Sequence, residues 1–420
     1  MSASKMSRIL DSSRKTKYGE EFLISQAKSL ISFTKGSVLK EGGFGYLDSF
    51  GNVDRNKPRE LYIQCRMIQV LGLAQLFEIA NSENLIDHGV DAILDNFQDS
   101  VYGGFYNAID LEGKPTKDSK LAYDHMFVLL AACTAKVAGS RRADELISVI
   151  DKVIDQFYWD NEHQMMNNSW NSEFSSLDGY RGINANMHAV EALAAAFDVT
   201  GQVKYRDRAY LICKKTIENF AKSNSWMLPE HFDENWNVDK DFNIHNPADP
   251  FCPFGVTIGH LFEWSRLILQ LKIQIAGSGL DDSWIEPGAQ GLYEKAKKFG
   301  WSADGKEGFV YTIDWEGKPV VPSRMFWVAA EAVMTAYTLW IFTKESKYFE
   351  DYNSWWEYID KYVIDHKNGS WFHELDSEQK VVAHTWPGKP DTYHAFNACV
   401  LPLFPMGTSF VGTALDLKKT

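Results

Sequence analysis

Polar side chains capable of acid–base chemistry stand at the start of six apolar stretches of the chain. Four of these stretches carry a histidine within about their first two turns. One histidine on an apolar helix is usually a satisfied core residue, but several unsupported buried imidazoles would be costly. We therefore expect these side chains to share one pocket. In chain order, the polar residues are Arg66, Tyr123 with His125, Asn184 with His188, His260 with Glu263, Trp327 with Glu331, and Tyr393 with His394.

Two histidines and an arginine in one pocket suit proton transfer between neighbouring carbons. Imidazole titrates near pH ~6.5, so it serves as an acid or a base at neutral pH. One histidine could remove a proton at one carbon while the other returns it at the next. The arginine could hold the oxygen of the developing enolate.

Metal binding and glycoside hydrolysis are the rival uses of these residues. His260 and Glu263 share a helical face, but their order reverses the E-x-x-H pattern of di-iron bundles and the pair is not repeated. Glycoside hydrolysis needs two carboxylates around one bond, for which Glu263 and Glu331 are the candidates. That assignment leaves the histidines unexplained. We expect neither a metal nor a cofactor.

The elements that must position these residues recur along the chain. A glycine-aromatic hairpin pattern appears as GGFGYLDSFGN, GGFYNAIDLEGK, EGFVYTIDWEGK and NGSWFHELDSEQK. Gly43 and Gly104 are 61 residues apart, as are Gly308 and Gly369. Further steps of 61 from Gly104 reach aromatic-rich segments at Met165 and Trp226. Six units with a period of about 61 residues indicate a repeat architecture, although the step from Trp226 to Gly308 is 82 residues. Part of that excess is predicted to be a long loop over about 237–255, and loops of this length in compact domains are usually functional.

Two helical segments of different character separate successive hairpins. The first is apolar almost all round, as in MFWVAAEAVMTAYTLWIF, and the second is amphipathic, as in RADELISVIDKVIDQFYW. An all-round apolar helix is buried and an amphipathic one lies outside. We predict an all-α (α/α)6 barrel of six inner and six outer helices, with short β-hairpins at one end, as a single domain over 1–420. The helices are predicted at 20–36, 59–82, 84–98, 119–138, 142–158, 185–199, 203–222, 256–275, 286–300, 325–344, 346–364 and 392–404.

The composition of the chain indicates which classes of partner it can bind and the cell compartment in which we expect it. The 420 residues include 43 Lys and Arg against 56 Asp and Glu, a net charge of −13 that disfavours nucleic acids and anionic membranes. We find neither an apolar run long enough to span a membrane nor an apolar signal segment at the polar N-terminus. The five cysteines are scattered without a C-x-x-C pair. We expect a cytoplasmic protein, with its oligomeric state left open.

Four segments together resemble the N-acylglucosamine 2-epimerase superfamily, over essentially the whole chain. They are ELYIQCRM, YRGINANMHAVEA, GHLFEWSRL and GKPDTYHAF, and they look closest to the aldose–ketose isomerase branch. The resemblance implies an (α/α)6 barrel and a cofactor-free reaction of a monosaccharide through a cis-enediol(ate). It also implies that Trp327 is a wall residue of the pocket. The catalytic-pocket positions it implies are Arg66, Asn184, His188, His260, Glu263 and His394.

Four positions depart from relatives that bind sulfoquinovose. The arginine and two glutamines that contact the sulfonate there correspond to Pro250, His373 and Pro390 in this chain. A sulfonate would lose its charge-assisted partner, so sulfoquinovose is a poor fit. The family tryptophan before the arginine is Tyr62, which keeps an aromatic ring and adds a hydroxyl.

The resemblance leads us to expect interconversion of D-mannose and D-fructose, and also of D-lyxose and D-xylulose. We expect His394 to take the C2 proton, although the roles of the two acid–base histidines could be exchanged. His260, oriented by Glu263, is then the partner acid, and Arg66 stabilises the oxyanion. His188 completes the predicted catalytic set. The predicted substrate-binding residues are Asn184, Tyr62, Tyr123, Trp327 and Glu331.

Several alternatives stay open at this point. A D-mannose 2-epimerase would differ only in returning the proton to the opposite face of C2. A sulfoquinovose isomerase would need charge recognition from other residues. A glycoside hydrolase or a non-catalytic sugar-binding protein would use the same fold without two acid–base histidines.

Overall fold

Helices of the chain alternate between two concentric rings in the computed structural model, which describes residues 16–419. The polar N-terminal residues 1–15 lie outside the described residues. The inner helices are α2 (Leu61–Leu76), α4 (Ala122–Ala138), α6 (Ile183–Thr200), α8 (Ile258–Gln274), α10 (Phe326–Thr343) and α12 (Tyr393–Val400). The outer helices are α1 (Glu20–Thr34), α3 (Glu83–Ala92), α5 (Ala143–Val153), α7 (Val203–Lys214), α9 (Ile285–Gly300) and α11 (Ser346–Tyr358). Helix α12 contacts α2, which closes the inner ring and confirms the predicted barrel.

Burial separates the two rings as the apolar patterns predict. Helix α10 is the most apolar of the inner helices and is long enough to cross a membrane, but it is mostly buried among its neighbours. Four outer helices continue into a π-helical turn before the chain becomes extended. These turns are Ile93–Phe97, Ile154–Tyr158, Lys215–Ala221 and Ile359–Val363. They account for the longer helices predicted there.

Short strands tie each repeat to the next. The strand before an inner helix pairs antiparallel with the hairpin of the following repeat, not with its own hairpin. These pairs are β1 (Arg59–Glu60) with β2 (Ala108–Ile109), β4 (Lys120–Leu121) with β7 (Ser169–Trp170), β8 (Arg181–Gly182) with β9 (His231–Phe232), β10 (Val256–Thr257) with β11 (Thr312–Ile313), and β13 (Arg324–Met325) with β14 (Glu374–Leu375). Local partners are β3 (Pro115–Lys117) on β2, β5 (Trp159–Asp160) on β6 (Met165–Met166), and β12 (Pro319–Val321) on β11.

The contacts between successive repeats also supply a hydrogen-bond partner for the first backbone N–H of five inner helices. Such a terminal N–H group has no partner within its own helix. Each donates to a carbonyl oxygen in the hairpin of the next repeat, over 2.8 to 3.1 Å. The five bonds are Leu61 to Asn107, Ala122 to Asn168, Ile183 to Glu230, Ile258 to Tyr311, and Phe326 to His373. The helix starts are thereby held at one end of the barrel.

A side chain in the first turn of three inner helices clamps the preceding hairpin. Gln64, His125 and Asn186 are spaced by 61 residues, and each accepts a hydrogen bond from a hairpin N–H. His125 accepts at Nε2 from Phe105 and bonds through Nδ1 to the Leu121 carbonyl. The expectation that His125 belongs to the shared pocket is wrong, because both of its nitrogens serve this clamp.

A helix that the sequence pattern missed closes the other end of the barrel. Helix α13 (Phe410–Lys419) packs on α2, α4 and α6. Near the last turn of α6, Asp198 accepts hydrogen bonds from Thr408 and Ser409 at 2.7 and 2.6 Å. Helix α13 therefore covers the end of the barrel opposite the hairpins.

The clamp role of His125 predicts a specific acid sensitivity. Burial lowers the pKa of His125 to about 3. Since the unfolded chain binds this proton from about pH 6.5 downward and the folded chain does not, the free energy of unfolding falls by up to about 1.4 kcal/mol per pH unit below 6.5. Glutamine, which fills the equivalent position at Gln64, can make both clamp bonds without titrating. We expect His125→Gln to match the wild type at pH 7 within about 1 kcal/mol and to exceed it at pH 5.

Urea unfolding at both pH values measures this difference. The control His245→Gln, at an exposed histidine whose side chain has no hydrogen bond or ion pair among the described residues, should leave the pH dependence unchanged. An unfolded His125→Gln protein at pH 7, or one with the wild-type loss of stability at pH 5, would contradict the clamp role.

Candidate active site

Helical register decides which side chains of the inner helices reach the open end of the barrel. The second residue of each helix lies at the mouth, and the sixth lies about one turn deeper on the same face. The second positions are Tyr62, Tyr123, Asn184, Gly259, Trp327 and His394. Four sixth positions carry polar groups, namely Arg66, His188, Glu263 and Glu331.

Glycine at the second position of α8 has a steric cause. A Cβ on Gly259 would lie 2.2 Å from the Trp327 ring, so only glycine lets the indole lie across the start of α8. His260, the third residue of α8, then comes next to that indole.

These side chains line a cleft with about 590 Å³ of space between its atoms, including its open mouth. The structure brings eight of the ten predicted site residues together there: Arg66, Tyr123, Asn184, His188, His260, Glu263, Trp327 and His394. Tyr62 lines an adjoining chamber instead. Glu331 is fully buried behind His394, so the expectation that it binds substrate is wrong.

The imidazole of His394 is held at one nitrogen by a carboxylate. Its Nδ1 lies 2.9 Å from Glu331 Oε1, while Arg266 donates two hydrogen bonds to Glu331 Oε2 at 3.1 and 3.0 Å. Burial raises the pKa of Glu331, but the two hydrogen bonds from Arg266, which Glu263 lacks, oppose this shift and stabilise the carboxylate. We therefore assign Nδ1 of His394 as the donor to Glu331, which leaves the lone pair on Nε2. Burial and Arg66 hold the pKa of His394 well below its usual value. His394 is thus a neutral base at pH 7.

His260 has the same arrangement, but with a partner that the sequence did not indicate. Its Nδ1 lies 3.0 Å from Glu230 Oε2, and the expectation that Glu263 orients His260 is wrong. Glu230 is one of the hairpin residues that bind the preceding repeat, since its backbone carbonyl accepts a hydrogen bond from the first N–H of α6. Its side chain therefore projects beside α8, although it is 30 residues away in sequence.

One indole links the two histidines. The ring centroid of Trp327 is 5.3 Å from that of His260 and 5.7 Å from that of His394. Two imidazoles, each fixed at Nδ1, therefore meet at one wall of the cleft. This arrangement can serve an acid–base pair acting on one small substrate.

Arg66 supplies the positive charge of the cleft. Its Nη1 donates to Asp391 Oδ2 at 3.1 Å, and its Nη2 donates to the Tyr123 hydroxyl at 2.8 Å. Burial opposes the charge, but Tyr123 and Asp391 keep the pKa of Arg66 above its ordinary value. Burial would raise the pKa of Asp391, yet Arg66 and His373 hold it below its usual range. The pair fixes a guanidinium beside the reacting groups.

His188 faces the cleft from the opposite wall. Its Nδ1 lies 3.4 Å from Glu191 Oε2, which also accepts the Tyr393 hydroxyl at 2.5 Å. Burial lowers the pKa of His188 to about 4, so the ring is neutral at pH 7. Its ring packs against Phe127 at 4.5 Å and Tyr123 at 5.2 Å, measured between centroids. A neutral, fixed imidazole suits hydrogen bonding to a hydroxyl.

Glu263 differs from the other carboxyl groups of the cleft because it makes no hydrogen bond among the described residues. Neither of its oxygens has a hydrogen-bond partner among the described residues, and its nearest cation is Arg266 at 3.6 Å. Burial and the nearby Glu331 raise its pKa well above the usual value. We therefore assign the neutral acid to Glu263, which leaves it an O–H to donate into the cleft.

Glu263 also joins two groups of side chains with the geometry to surround a metal ion. One contains His188 and Glu191, and the other contains Glu331 and His394. Arg266 already pairs with Glu331 at 3.0 Å and lies 3.6 Å from Glu263, so a guanidinium supplies the cation at this level of the barrel. A metal ion would compete with that charge.

The rim of the cleft is made by two loops. Phe251 comes from the long loop predicted over 237–255, and Trp386 comes from the segment before α12, with 5.4 Å between their ring centroids. Pro250, His373 and Pro390, the three departures from the sulfonate-binding relatives, also line the cleft. Burial lowers the pKa of His373 to about 4, so none of the three carries a positive charge at pH 7.

Comparison with known proteins shows that most of the chain is similar to sugar isomerases and epimerases. Residues 42–398 match the family described as N-acylglucosamine 2-epimerase (GlcNAc 2-epimerase). A D-mannose isomerase of Thermobifida fusca is 39% identical over 93% of this chain and 96% of its own length. One from Pseudomonas cannabina pv. alisalensis is 38% identical over 94% and 95%.

A solved structure agrees with these sequence matches. The crystal structure of a D-mannose isomerase superposes with a TM-score of 0.86 at 30% identity, covering 93% of this chain and 99% of its own. The fold and the extent of these matches confirm the resemblance inferred from the four sequence segments. This chain belongs to the N-acylglucosamine 2-epimerase family.

Proposed function

We propose that this protein interconverts D-mannose and D-fructose by moving a proton between C2 and C1 through a cis-enediol(ate). The observation that carries the proposal is the pair His260 and His394, each held at Nδ1 by a carboxylate beside Trp327. The relatives at 39% and 38% identity are named D-mannose isomerases, which supports this substrate. D-lyxose and D-xylulose, which lack only the terminal carbon, form the second expected pair.

His394 is the group we assign to the C2 proton. Its low pKa keeps Nε2 unprotonated at neutral pH, and the ionised Glu331 stabilises the imidazolium that forms when it accepts the proton. For the acid role His260 carries a proton on Nε2, with Glu230 as its counter-ion at Nδ1. It assists ring opening and, in the open chain, protonates O1 as His394 takes the C2 proton. His394 then returns its proton to C1 while His260 takes the proton of the C2 hydroxyl, which yields the ketose. Glu230 and Glu331 are positioning residues, because each acts through a histidine.

Two groups stabilise the intermediate. Arg66 places its guanidinium where the enediolate oxygen develops negative charge. Glu263 donates a hydrogen bond as a neutral acid, which adds no negative charge beside that oxygen. His188 and Asn184 bind substrate hydroxyls, and Trp327 forms the wall against which the sugar lies.

The remaining alternatives fit this cleft less well. A sulfonate would meet Pro250, His373 and Pro390, which offer no cation. A glycoside hydrolase would need Glu331 at the bond to be cleaved, but this residue is fully buried behind His394. A 2-epimerase differs from the isomerase only in where the proton returns, so the product decides between them.

Product analysis tests the proposed reaction directly. Incubation with D-mannose should yield D-fructose, identified by chromatography and NMR. In D₂O, exchange of the proton on the histidine with solvent should place deuterium at C1 of the fructose, at least in part. Glucose as the first product would identify a 2-epimerase. Fructose without any C1 deuterium after long incubation would favour a hydride shift.

Removal of either acid–base histidine tests the assignment of roles. His394→Ala and His260→Ala should each lower kcat by roughly 10²–10⁴-fold, the usual contribution of a general acid or base. The double variant should lose little more than the worse single variant, because residues that act as a unit are not additive. The exposed His366→Ala is the matched control and should keep the wild-type kcat. Near-full activity in a folded His394→Ala or His260→Ala protein would remove that histidine from the mechanism.

Chelation tests the role of the two metal-compatible groups around Glu263. Because Arg66 and Arg266 supply positive charge at the site, dialysis against a strong chelator should leave kcat/KM for mannose unchanged. The metal content of the dialysed protein is measured in parallel by mass spectrometry. Loss of activity that Mn²⁺ or Co²⁺ restores would instead indicate a metal-assisted hydride shift.

A further inference from the structure

A small cavity lies inside the barrel beneath the catalytic cleft, on the side away from the hairpins. It is enclosed by α2, α4, α6 and α8, and the first residues of α13 cover it from below. The ninth residues of three inner helices line it, about one turn deeper than the sixth residues that reach the cleft. In chain order these ninth residues are Gln69, Leu130 and Glu191.

The side-chain amide of Gln69 has no role in the reaction described above. Gln69 is 1% exposed, and neither its Oε1 nor its Nε2 has a hydrogen-bond partner among the described residues. A buried amide is costly unless a hydrogen bond replaces the water that it loses on folding. Because Gln69 lines the cavity, a ligand bound there can supply that hydrogen bond.

One oxygen of Glu191 is also buried without a partner. Oε2 of Glu191 accepts hydrogen bonds from the Tyr393 hydroxyl at 2.5 Å and from His188 Nδ1 at 3.4 Å, whereas Oε1 accepts none among the described residues. Burial would raise the pKa of Glu191, but His188 and Arg266 hold it below its usual value. An ionised carboxylate therefore offers a free oxygen, and the orientation of His188 depends on that carboxylate.

The size and polarity of the cavity determine what it can bind. Its volume of about 20 Å³, measured at the centre of a water molecule, is enough for one water. Gln270 is a third polar side chain of the lining, and its Oε1 accepts a hydrogen bond from Arg266 at 3.0 Å. A buried water usually makes about three hydrogen bonds, which Gln69, Glu191 and Gln270 can provide.

We propose that this cavity binds one water molecule that joins Gln69 to Glu191, and that Gln69 is thereby a positioning residue for His188. The water donates a hydrogen bond to Glu191 Oε1 and exchanges a second one with the Gln69 amide. Both oxygens of the carboxylate are then held, so the imidazole of His188 keeps one orientation. The role of His188 in binding a substrate hydroxyl rests on the proposed function, whereas the water site does not.

A high-resolution crystal structure of the wild-type protein tests the water site directly. One ordered water should lie about 2.7–3.2 Å from both the Gln69 amide and Glu191 Oε1. A cavity without this water, or a direct hydrogen bond between Gln69 and Glu191, would overturn the proposal.

Two variants remove the water in different ways. Gln69→Met keeps the length of the side chain but removes both polar atoms. Val190→Ile adds to the wall of the cavity one methyl group, which is about the size of a water molecule. Leu271→Met changes another lining residue at nearly constant volume and is the matched control. Circular dichroism establishes that each variant is folded, and crystal structures show which variants retain the water.

Steady-state kinetics with D-mannose tests the positioning role. Because His188 binds a hydroxyl in the bound substrate and in the transition state alike, loss of its orientation raises KM and leaves kcat nearly unchanged. KM should rise about fivefold in each variant that lacks the water, the effect of about one hydrogen bond, with kcat within about twofold. Leu271→Met should match the wild type.

The outcomes separate this inference from the proposed function. A folded variant that lacks the water but has the wild-type KM would overturn the positioning role, as would a loss confined to kcat. A wild-type protein that holds the water but fails to isomerise mannose would refute only the proposed function. The positioning role is then measured by titration with D-mannitol, an unreactive polyol, whose binding should weaken by the same factor in the water-free variants. Unchanged mannitol binding would overturn the role.

Discussion

The hydrogen bond from the first N–H of an inner helix to the hairpin of the next repeat is the constraint on which this site depends. It fixes the height at which each inner helix begins, and therefore the height of its second and sixth residues. It also fixes the hairpin residue that supplies the carbonyl, which places the side chains of Glu230, Tyr311 and His373 at the cleft or directly behind it. One backbone interaction, repeated around the ring, thus aligns two helix positions and one hairpin position.

The protonation states of the buried groups inside the barrel depend on that alignment. The aligned peptide dipoles of the inner helices direct their positive ends toward the hairpin end, which favours a developing oxyanion and disfavours imidazolium. Below the cleft, Arg266 lies among Glu191, Glu263 and Glu331. Two of these carboxylates each hold an imidazole, and the third carries a proton because burial and like charges disfavour its ionisation. The same cluster therefore yields neutral bases and a neutral acid.

The sequence allowed prediction of the parts that obey the repeat. Apolar periodicity located twelve helices, and helical spacing together with the family motifs placed eight residues in one cleft. Contacts between residues of different repeats could not be predicted from the sequence. The link of His260 to Glu230 spans 30 residues and runs through a strand pairing that no local pattern reveals. His125 resembled a site residue, but its equivalence to Gln64 and Asn186 at a spacing of 61 would have identified the clamp. Helix α13 lies beyond the last repeat, so the period could not predict it.

Departure from symmetry is what turns this regular scaffold into a selective site. Equivalent third positions carry Asp124, Ala185 and His260 in successive inner helices. Because the frame holds these positions at one height, a change of side chain alters the chemistry of one sector without moving its neighbours. The two histidines assigned to acid–base chemistry come from α8 and α12, whereas Tyr62, Tyr123 and Asn184 come from α2, α4 and α6. A ring built from one repeated unit can therefore carry acid–base histidines in one part of its mouth and amide and tyrosine side chains in another.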